Sequence, residues 1–466
     1  MSKILFVYPN GEGYPIIPLG PAMLIGVLKH GGHNVELFDI TFMVQKRLDH
    51  DAREKTGTVK PVDYTKYWGT PIQVDIYQEL RNKIKDFKPD LVAFSIVESN
   101  YSIAKKCFEV VKSETSVPII VGGVFPTIAP KFFYDDKNVD IICIGEGEQC
   151  LLELANKLDK KESYSNILNL HVKTNNGIIK NNYNNYYNWN PFIPQNWDLF
   201  DKRHLWKAYN GKMWKCGCFE LSRGCPYNCS YCNNHVFQKT FKDIGAYHRE
   251  KDLDNAINEM VVLKNKYDLG MIMFNDETFL MMNKKRIQKF AHNYITKVNL
   301  PFFIQTKAET MTEDNIQLLS NMNCMGIGIG IETGNETIRR DLLNKNTKNE
   351  IYEKAIALTN KYNIRSTGYV MIGLPFETKE NILETAEFCK KLNVSSVAIS
   401  IFAPFYGTKL YDVCLENGFI DDTLNNNISV NYKSILKQPQ LSNDELEELY
   451  YGFNDLVFKT KGNNHV

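Results

Sequence analysis

The sequence lacks the features that mark membrane-spanning, exported and nucleic-acid-binding proteins. No apolar run reaches the roughly 18 residues that a helix needs to span a bilayer. The chain begins at Met1 with a strand-like run instead of a secretory signal. A surplus of one charge is missing as well, since 55 Lys and Arg residues balance 54 Asp and Glu residues. We therefore expect a cytoplasmic protein with no transmembrane segment and no nucleic-acid partner.

The cysteine pattern does not fit a disulfide framework. The chain has 466 residues, which suggests two to four domains, and 11 cysteines, an odd number. Six of the cysteines are scattered through apolar or helical surroundings, as is typical of buried small hydrophobic residues. The other five fall within one short stretch: Cys216, Cys218, Cys225, Cys229 and Cys232.

Residues 1–158 alternate near-continuous apolar strands with amphipathic helices, the first of which we expect to open at Pro21. This alternation predicts a doubly wound parallel sheet that is covered on both faces. Ligands of such sheets bind outside the carboxyl ends of the strands. Small residues at these ends would let a large, flat ligand approach the backbone, although they would equally make tight turns. The strand ends carry Asn10, Ser95, Val97, Gly122, Gly123, Gly145, Glu146 and Gly147.

The rest of the chain predicts a linker, a second α/β domain and a helical end. Residues 159–210 are polar and rich in Asn, which suggests a linker with room for a small hairpin. Residues 211–430 contain six strand–helix units in a row, which predicts a partial (β/α)6 barrel with its site at the carboxyl ends of the strands. Residues 431–466 predict a helical C-terminal extension, since Ser442 is a cap followed by an acidic first turn.

A cysteine loop follows the first barrel strand. Cys225, Cys229 and Cys232 have the spacing C-x3-C-x2-C, and Pro226 and Asn228 disfavour a regular helix there. Three thiolates on one loop suit an iron–sulfur cluster. Because a cubane cluster has four irons, three cysteines leave one iron open to a ligand that is not protein. Zinc is the alternative, with its fourth ligand from His235, Cys216 or Cys218.

These motifs resemble those of the cobalamin-binding radical SAM enzymes, in which a corrin-binding domain precedes a radical SAM barrel. The resemblance covers about residues 1–430. In the barrel it rests on residues 222–232, 274–279, 328–334 and 371–375, which read SRGCPYNCSYC, FNDETF, GIGIETG and MIGLP. In the front domain it rests on residues 18–20, 122–127 and 145–148, which read PLG, GGVFPT and GEGE.

The resemblance implies a set of cofactors and the residues that hold them. Cys225, Cys229 and Cys232 would bind a [4Fe–4S] cluster, and S-adenosylmethionine (SAM) would chelate the open iron. An external reductant of the flavodoxin or ferredoxin type would supply the electron that cleaves SAM to methionine and a 5′-deoxyadenosyl radical. The implied SAM-binding residues are Tyr231, Asp276, Glu277, Glu332, Gly373, Leu374 and Pro375. The implied cobalamin-binding residues are Asn10, Leu19, Gly20, Ser95, Val97, Gly122, Gly123, Phe125, Gly145, Glu146 and Gly147.

Several of these residues have a structural interpretation as well. Asp276 and Glu277 also fit the acidic start of a helix, and Gly330 and Gly334 also fit close packing. One departure concerns cobalt. Many corrin domains offer a histidine in a D-x-H-x-x-G loop after the first strand, but residues 10–20 contain no histidine. His30 and His33 lie beyond that loop, so we predict that no protein histidine binds cobalt.

The pairing of the two domains predicts an enzyme that methylates an unactivated carbon, or less often a phosphorus, of a small molecule or lipid. A cobalamin-containing cyclase or rearrangement enzyme is one alternative. A methylthiotransferase is another, although the front domain lacks a second cysteine set and the tail looks helical. The non-enzyme alternative is a zinc- or cluster-binding scaffold. The substrate is not readable, since Phe279, Gln305 and Tyr369 fit a cavity lining and a core equally.

Overall fold

A computed structural model describes residues 1–11, 15–43, 48–70, 74–189, 191–421 and 432–459, without the side chains of residues 48–50. The chain forms two compact units. The first unit contains Met1–Leu48, Tyr64–His204 and Val236–Ala246, and the second contains Asp49–Asp63, Leu205–His235 and Tyr247–Val466. Residues 12–14 of the glycine-rich loop after the first strand, and the predicted boundary at residue 430, lie outside the described residues.

The first unit is built on a mainly parallel sheet, as predicted. Its strands are β1 (Lys3–Tyr8), β2 (Asn34–Asp39), β3 (Leu91–Ser95), β4 (Ile119–Gly122), β5 (Ile141–Cys143), β6 (Leu170–Thr174) and β7 (Gly177–Lys180). They are ordered β2-β1-β3-β4-β5-β6-β7. β1 to β5 are parallel, and the β6–β7 hairpin of the predicted linker adds two antiparallel strands. The order reverses at β1, so the crevice for a ligand lies where β1 and β3 end.

Helices connect these strands. The helices of the first 160 residues are α1 (Leu19–His30), α2 (Leu48–Lys55), α3 (Thr65–Trp68), α4 (Ile76–Phe87), α5 (Tyr101–Glu114), α6 (Val124–Ile128), α7 (Lys131–Tyr134) and α8 (Glu148–Asp159). The first helix begins at Leu19, two residues before the predicted start at Pro21. A proline is tolerated there, because the first turn of a helix needs no backbone N–H from it.

The second unit is the predicted partial barrel. Its strands are β8 (Trp206–Tyr209), β9 (Lys212–Phe219), β10 (Ser222–Arg223), β11 (Arg249–Glu250), β12 (Met271–Phe274), β13 (Phe302–Thr306), β14 (Cys324–Glu332), β15 (Arg365–Ile372) and β16 (Ser396–Ile401). The main sheet has the order β16-β15-β14-β13-β12-β9-β8, in which only β8 is antiparallel to its neighbour. The carboxyl ends of six parallel strands therefore meet at one edge.

Helices also separate the barrel strands and end the described chain. They are α9 (Asn234–Thr240), α10 (Leu253–Tyr267), α11 (Lys284–Asn293), α12 (Glu313–Asn321), α13 (Asn349–Lys361), α14 (Lys379–Leu392), α15 (Lys409–Glu416) and α16 (Asn443–Phe458). The last helix begins at the predicted cap, where Ser442 and Glu445 form a reciprocal capping box. Among the described residues, no helix combines the length and the apolar character of a membrane-spanning segment.

Candidate functional site

Solvent exposure separates three cysteines from the other eight. All 11 cysteines lie within the described ranges, and all are free thiols. Cys225, Cys229 and Cys232 are partly exposed, whereas the remaining eight are buried. The three with the C-x3-C-x2-C spacing are therefore the ones that a cluster from solution can reach.

The cysteine loop runs from β10 to α9 and begins at a glycine that no other residue can replace without a shift. Gly224 has φ +84°, and a Cβ there would lie 2.3 Å from the carbonyl oxygen of Tyr247. A side chain at this position would therefore meet both backbone strain and a clash with main chain.

The loop is held to distant parts of the second unit through its own backbone. Ser230 N–H donates to the Leu343 carbonyl oxygen at 3.0 Å, and Leu410 N–H donates to the Ser230 carbonyl oxygen at 3.1 Å. The Asn344 amide donates to the Asn228 carbonyl oxygen at 2.7 Å. These bonds fix the loop without using any of its thiols.

The surroundings of two of the loop thiols, those of Cys225 and Cys232, favour the protonated form. Burial raises the pKa of Cys232 to about 11 and also raises the pKa of Cys225. Thr278 Oγ1 lies 3.9 Å from Cys225 Sγ, and Asn234 Nδ2 donates to Cys232 Sγ at 3.4 Å. Binding of a metal centre at these thiols therefore releases protons, because the thiolate is the ligand.

The three thiols of the loop fit a cluster, and the other ligands proposed for zinc are hydrogen-bonded or buried. Among the described residues, no three His, Cys, Asp or Glu side chains converge as one metal ion requires. A cubane takes one thiolate per iron, so its ligands do not meet at a point. Of the other proposed zinc ligands, His235 donates from Nδ1 to the Cys229 carbonyl oxygen at 3.1 Å. Cys216 and Cys218 are buried in β9.

The two adjacent acids after β12 have different surroundings. Asp276 is buried, and its carboxylate accepts the Leu221 N–H on both oxygens at 3.1 Å and the Ser222 hydroxyl at 2.5 Å. Burial raises the pKa of Asp276 to about 7, although these hydrogen bonds oppose the rise. Asp276 therefore joins the end of β12 to the chain just before the cysteine loop, and its predicted contact with SAM stays a prediction.

Glu277 lies beside the cysteine loop and is exposed. Asn234 Nδ2 donates to Glu277 Oε2 at 3.1 Å as well as to Cys232 Sγ at 3.4 Å, and Asn234 Oδ1 accepts from the Tyr247 hydroxyl. Desolvation by the surrounding protein raises the pKa of Glu277. Asn234 was not predicted as a site residue, and its place two residues after Cys232 is the only sequence signal for it.

Glu332, at the end of β14, is a buried acid with two strong partners. Its Oε1 accepts from the Tyr231 hydroxyl at 2.9 Å and from Lys345 Nζ at 2.9 Å. Burial alone would lower the pKa of Lys345, but the Glu332 carboxylate raises it above its ordinary value. Two predicted SAM-binding residues, Tyr231 and Glu332, are thus in direct contact, and Lys345 is a third member that the sequence analysis missed.

The loop after β15 is organised by Glu377, another residue that the sequence analysis missed. Glu377 Oε2 accepts from Gly373 N–H at 2.7 Å and from Leu374 N–H at 3.1 Å. Burial raises the pKa of Glu377 to about 8. Gly373, Leu374 and Pro375 are all buried, and their predicted contact with SAM stays a prediction.

In the first unit, the carboxyl ends of β1, β3 and β4 expose apolar side chains and backbone. Val97 is 45% exposed just after β3, and Val124 is 37% exposed just after β4. Gly123, between β4 and Val124, has φ +106°, and a Cβ there would lie 2.7 Å from the Ile96 carbonyl oxygen. Asn10 follows β1, and its amide donates to Thr41 Oγ1 at 3.0 Å.

The other predicted cobalamin residues divide into edge and core positions. Ser95 and Gly122 are the last residues of β3 and β4. Leu19 and Gly20 are the first residues of α1, and a Cβ at Gly20 would meet no atom within 4 Å. Phe125, by contrast, is fully buried. Bare backbone and apolar side chains along one edge fit a large, flat ligand such as a corrin.

The segment 145–147 is bound by the polar chain that follows the hairpin. Glu146 Oε2 accepts from Tyr187 N–H at 2.7 Å. Gly145 N–H donates to Thr127 Oγ1 at 3.0 Å, and Gly147 directly precedes α8. The Glu146 carboxylate therefore binds the chain's own backbone in this structure.

The two histidines near the first helix lie away from this edge. His33 contacts Ser2 N–H through Nδ1 at 3.4 Å and the Asn156 side chain through Nε2 at 3.1 Å. Ser2 directly precedes β1, and His30 ends α1 shortly before β2 begins. Both histidines therefore lie at the edge where the strands start, and the absence of a protein histidine on cobalt stays a prediction.

Comparison with known protein families finds a match for each of the two candidate sites, the apolar edge of the first unit and the cysteine loop of the second. The model of the B12 binding domain matches residues 62–155, and the model of the Radical SAM superfamily matches residues 219–389. The chain belongs to the cobalamin-binding radical SAM enzymes. The cofactors of this family, a [4Fe–4S] cluster, SAM and cobalamin, agree with the three-thiol loop of the second unit and the apolar edge of the first.

Three similar proteins illustrate the family. The uncharacterized methyltransferase PH0819 of Pyrococcus horikoshii is 25% identical over 351 residues, which cover 74% of this chain and 73% of that protein. The anaerobic magnesium-protoporphyrin IX monomethyl ester cyclase of Rubrivivax gelatinosus is 22% identical over 425 residues, which cover 88% of this chain and 69% of that protein. The structure of the radical SAM methyltransferase TsrM from Kitasatospora setae has a TM-score of 0.67 and 18% identity, covering 90% of this chain and 75% of that chain.

Proposed function

We propose that this enzyme methylates an unactivated carbon, or a phosphorus, of a small molecule or lipid. The observation that carries the proposal is the presence on one chain of a loop with three partly exposed thiols and a B12 binding domain. Two of the similar proteins, PH0819 and TsrM, bear the name methyltransferase. The bound cofactors supply radical and methyl-transfer chemistry, and the protein supplies binding, orientation and shielding.

We assign the residues to these tasks as follows. Cys225, Cys229 and Cys232 hold the cluster, and Asn234 links the last of them to Glu277. Glu277 and Glu332 offer carboxylate oxygens to the polar groups of SAM, and the backbone of residues 373–375 contacts the adenine. Asp276 and Glu377 act as positioning residues, because their carboxylates bind backbone N–H groups of the loops that carry the site.

In the first unit we propose that cobalamin lies on the edge formed by the ends of β1, β3 and β4. Exposed Val97 and Val124 suit the apolar face of the corrin, and Gly20, where a Cβ would meet no protein atom within 4 Å, leaves space for its approach. We also propose the domain ranges 1–158 for cobalamin binding, 159–210 for the linker, 211–430 for the radical SAM barrel and 431–466 for the helical extension. A cytoplasmic location and a flavodoxin or ferredoxin as electron donor complete the proposal.

The deciding experiment needs no knowledge of the substrate. Protein reconstituted anaerobically with iron, sulfide and cobalamin is incubated with SAM that carries a deuterated methyl group. With a reductant that converts the bound cobalamin to cob(I)alamin, methylation predicts the label on the cobalamin together with S-adenosylhomocysteine. The same reductant supplies the cluster electron that releases 5′-deoxyadenosine. Protein that retains cluster and cobalamin but transfers no label would contradict the proposal.

A second candidate function is ring formation or rearrangement without methyl transfer. It is favoured by the similarity to the Rubrivivax gelatinosus cyclase, which covers 88% of this chain. This candidate predicts 5′-deoxyadenosine without label on cobalamin and a product whose mass does not include an added methyl group. The same labelling experiment therefore separates the two functions.

A further inference from the structure

The chain turns sharply at Glu332, where β14 ends. Glu332 has φ +66°, a left-handed conformation that is uncommon for a residue with a side chain. The register between β14 and β15 is irregular at the same place, between Gly330 and Glu332. Such a conformation is strained and persists only where the surrounding structure enforces it. A buried acid in this conformation therefore needs strong local support.

Lys345 supplies that support from the other side of the turn. Its Nζ donates to Glu332 Oε1 at 2.9 Å and also to the carbonyl oxygen of Gly330, which accepts from the Tyr352 hydroxyl at 2.9 Å too. The Lys345 side chain is only 4% exposed. Lys345 thus binds both the side chain and the backbone of the turn.

The rest of the turn is bound in the same way. The buried guanidinium of Arg339 donates through Nε to the carbonyl oxygen of Thr333 at 3.1 Å. Lys345 N–H donates to the Arg339 carbonyl oxygen at 2.9 Å, so a backbone hydrogen bond joins the two residues that carry these cationic side chains. The backbone around Glu332 is therefore held by donors from residues 339–345, which follow it along the chain.

This arrangement engages one oxygen of Glu332 and leaves the other open. Oε1 accepts from Tyr231 and Lys345, whereas no donor among the described residues reaches Oε2. Tyr231 lies on the cysteine loop between Cys229 and Cys232. The open oxygen thus belongs to a carboxylate that is oriented by the loop on one side and by Lys345 on the other.

We propose that Lys345 is a positioning residue for SAM: it acts through Glu332, holding the carboxylate so that Oε2 is presented to the ligand. This inference rests on the proposed function, in which Glu332 binds SAM. Lys345 itself does not need to touch SAM, because its charge is already used by Glu332 Oε1. Its effect on SAM binding therefore depends on the presence of the Glu332 carboxylate.

The test is a double-mutant cycle on the reconstituted enzyme without reductant, so that SAM binds but is not cleaved. The Kd for SAM is measured by equilibrium binding for the wild type, Lys345→Met, Glu332→Gln and the double variant. Methionine keeps the length of the lysine side chain without its charge. We expect Lys345→Met to raise the Kd about tenfold, as for the loss of a charge-assisted hydrogen bond.

The decisive comparison is between Glu332→Gln and the double variant. If Lys345 acts through Glu332, adding Lys345→Met to Glu332→Gln raises the Kd no further. We also expect Lys345→Arg, which keeps the charge and the donors, to restore most of the affinity. Iron content and retained cobalamin serve as readouts of an intact protein, and Lys361→Met, at an exposed lysine paired with Glu313, is the matched control.

Three results would overturn the inference: wild-type affinity in Lys345→Met, additive effects in the double variant, or no rescue by arginine. If Lys345→Met does not fold, the other two single variants still test the inference. It requires that Lys345→Arg binds SAM with near-normal affinity and that Glu332→Gln binds SAM weakly. Failure of the proposed function gives a different result, since a wild type that binds SAM but transfers no label to cobalamin contradicts methylation and leaves the Kd comparison intact.

Discussion

The Asp276 carboxylate accepts the backbone N–H of Leu221 on both of its oxygens, each at 3.1 Å. Asp276 follows β12 and Leu221 follows β9, and these two strands are neighbours in the sheet. One buried acid thus joins two adjacent strand ends immediately before the cysteine loop begins. The acid of this pair has a raised pKa, because it is buried.

We predict that Asp276→Asn changes how stability depends on pH. Because the pKa of Asp276 is raised from 3.8 to about 7, the folded protein keeps a proton that the unfolded chain releases near pH 4. This carboxyl therefore lowers the free energy of unfolding as pH rises from about 4 to 7, by about 1.4 kcal/mol per pKa unit. In denaturant unfolding, the free energy of unfolding of Asp276→Asn relative to that of the wild type should be higher at pH 8 than at pH 5. Equal differences at both pH values would contradict this, and Asp314→Asn, at an exposed acid, is the control.

Glu377 allows a test of the loop after β15. Since burial raises the pKa of Glu377 to about 8, its carboxyl is largely protonated at neutral pH. We therefore expect Glu377→Gln to unfold at nearly the wild-type denaturant concentration at pH 7. Glu377→Ala leaves two buried N–H groups without an acceptor and should lower the free energy of unfolding by about 2–5 kcal/mol. Similar stabilities of the alanine and glutamine variants would show that these two hydrogen bonds contribute little.

Gly224 tests whether the shape of the cysteine loop decides cluster binding. Alanine at this position combines a left-handed φ with a clash against the Tyr247 carbonyl oxygen. We expect Gly224→Ala to retain well under half of the wild-type iron and acid-labile sulfide after anaerobic reconstitution. Gly452→Ala is the control, because Gly452 lies in α16 and a Cβ there meets no atom within 4 Å. Full iron content in Gly224→Ala would refute the prediction.

The assignment of the cluster ligands has its own test. Alanine at Cys225, Cys229 or Cys232 should abolish the cluster absorbance in the visible spectrum and the release of 5′-deoxyadenosine. Alanine at Cys414, a buried cysteine of α15, should cost stability but leave the iron content unchanged. The prediction fails if the iron content of the loop variants equals that of Cys414→Ala.

The last prediction concerns cobalt. His33 lies between Ser2 and Asn156, at the edge where the strands begin, so His33→Gln should leave the affinity for cobalamin within about twofold of the wild type. The electron paramagnetic resonance spectrum of the bound cob(II)alamin should lack nitrogen splitting from a protein histidine. Nitrogen splitting that disappears in His33→Gln would identify a ligand and contradict the prediction.

Local sequence patterns were sufficient to predict the two sheets and the position of the cysteine loop along the chain. Near-continuous apolar strands predict parallel sheets, and the spacing of Cys225, Cys229 and Cys232 depends on neighbouring residues only. The hydrogen-bond partners of the site side chains could not be predicted from the sequence, because they come from segments that are distant along the chain. Asn234 and Glu277 are 43 positions apart, and the sequence around either residue does not indicate that the two are in contact.

Adjacent residues show the same limit at a finer scale. Asp276 and Glu277 are chemically similar, but Asp276 is buried after the end of β12 and Glu277 lies in the turn that follows. Asp276 therefore points into the protein while Glu277 faces solvent, and the sequence does not indicate which of them does so. Glu377 was missed for a related reason, since its role depends on the backbone N–H groups of Gly373 and Leu374.

The anchors of the cysteine loop also set an order of events during biosynthesis. Ser230 is bound by Leu343 and Leu410, which leave the ribosome more than 100 residues after it. The loop can adopt its final shape only when the last barrel strands have been synthesised and packed. We therefore expect iron and sulfide to be inserted into the loop after Leu410 has been synthesised.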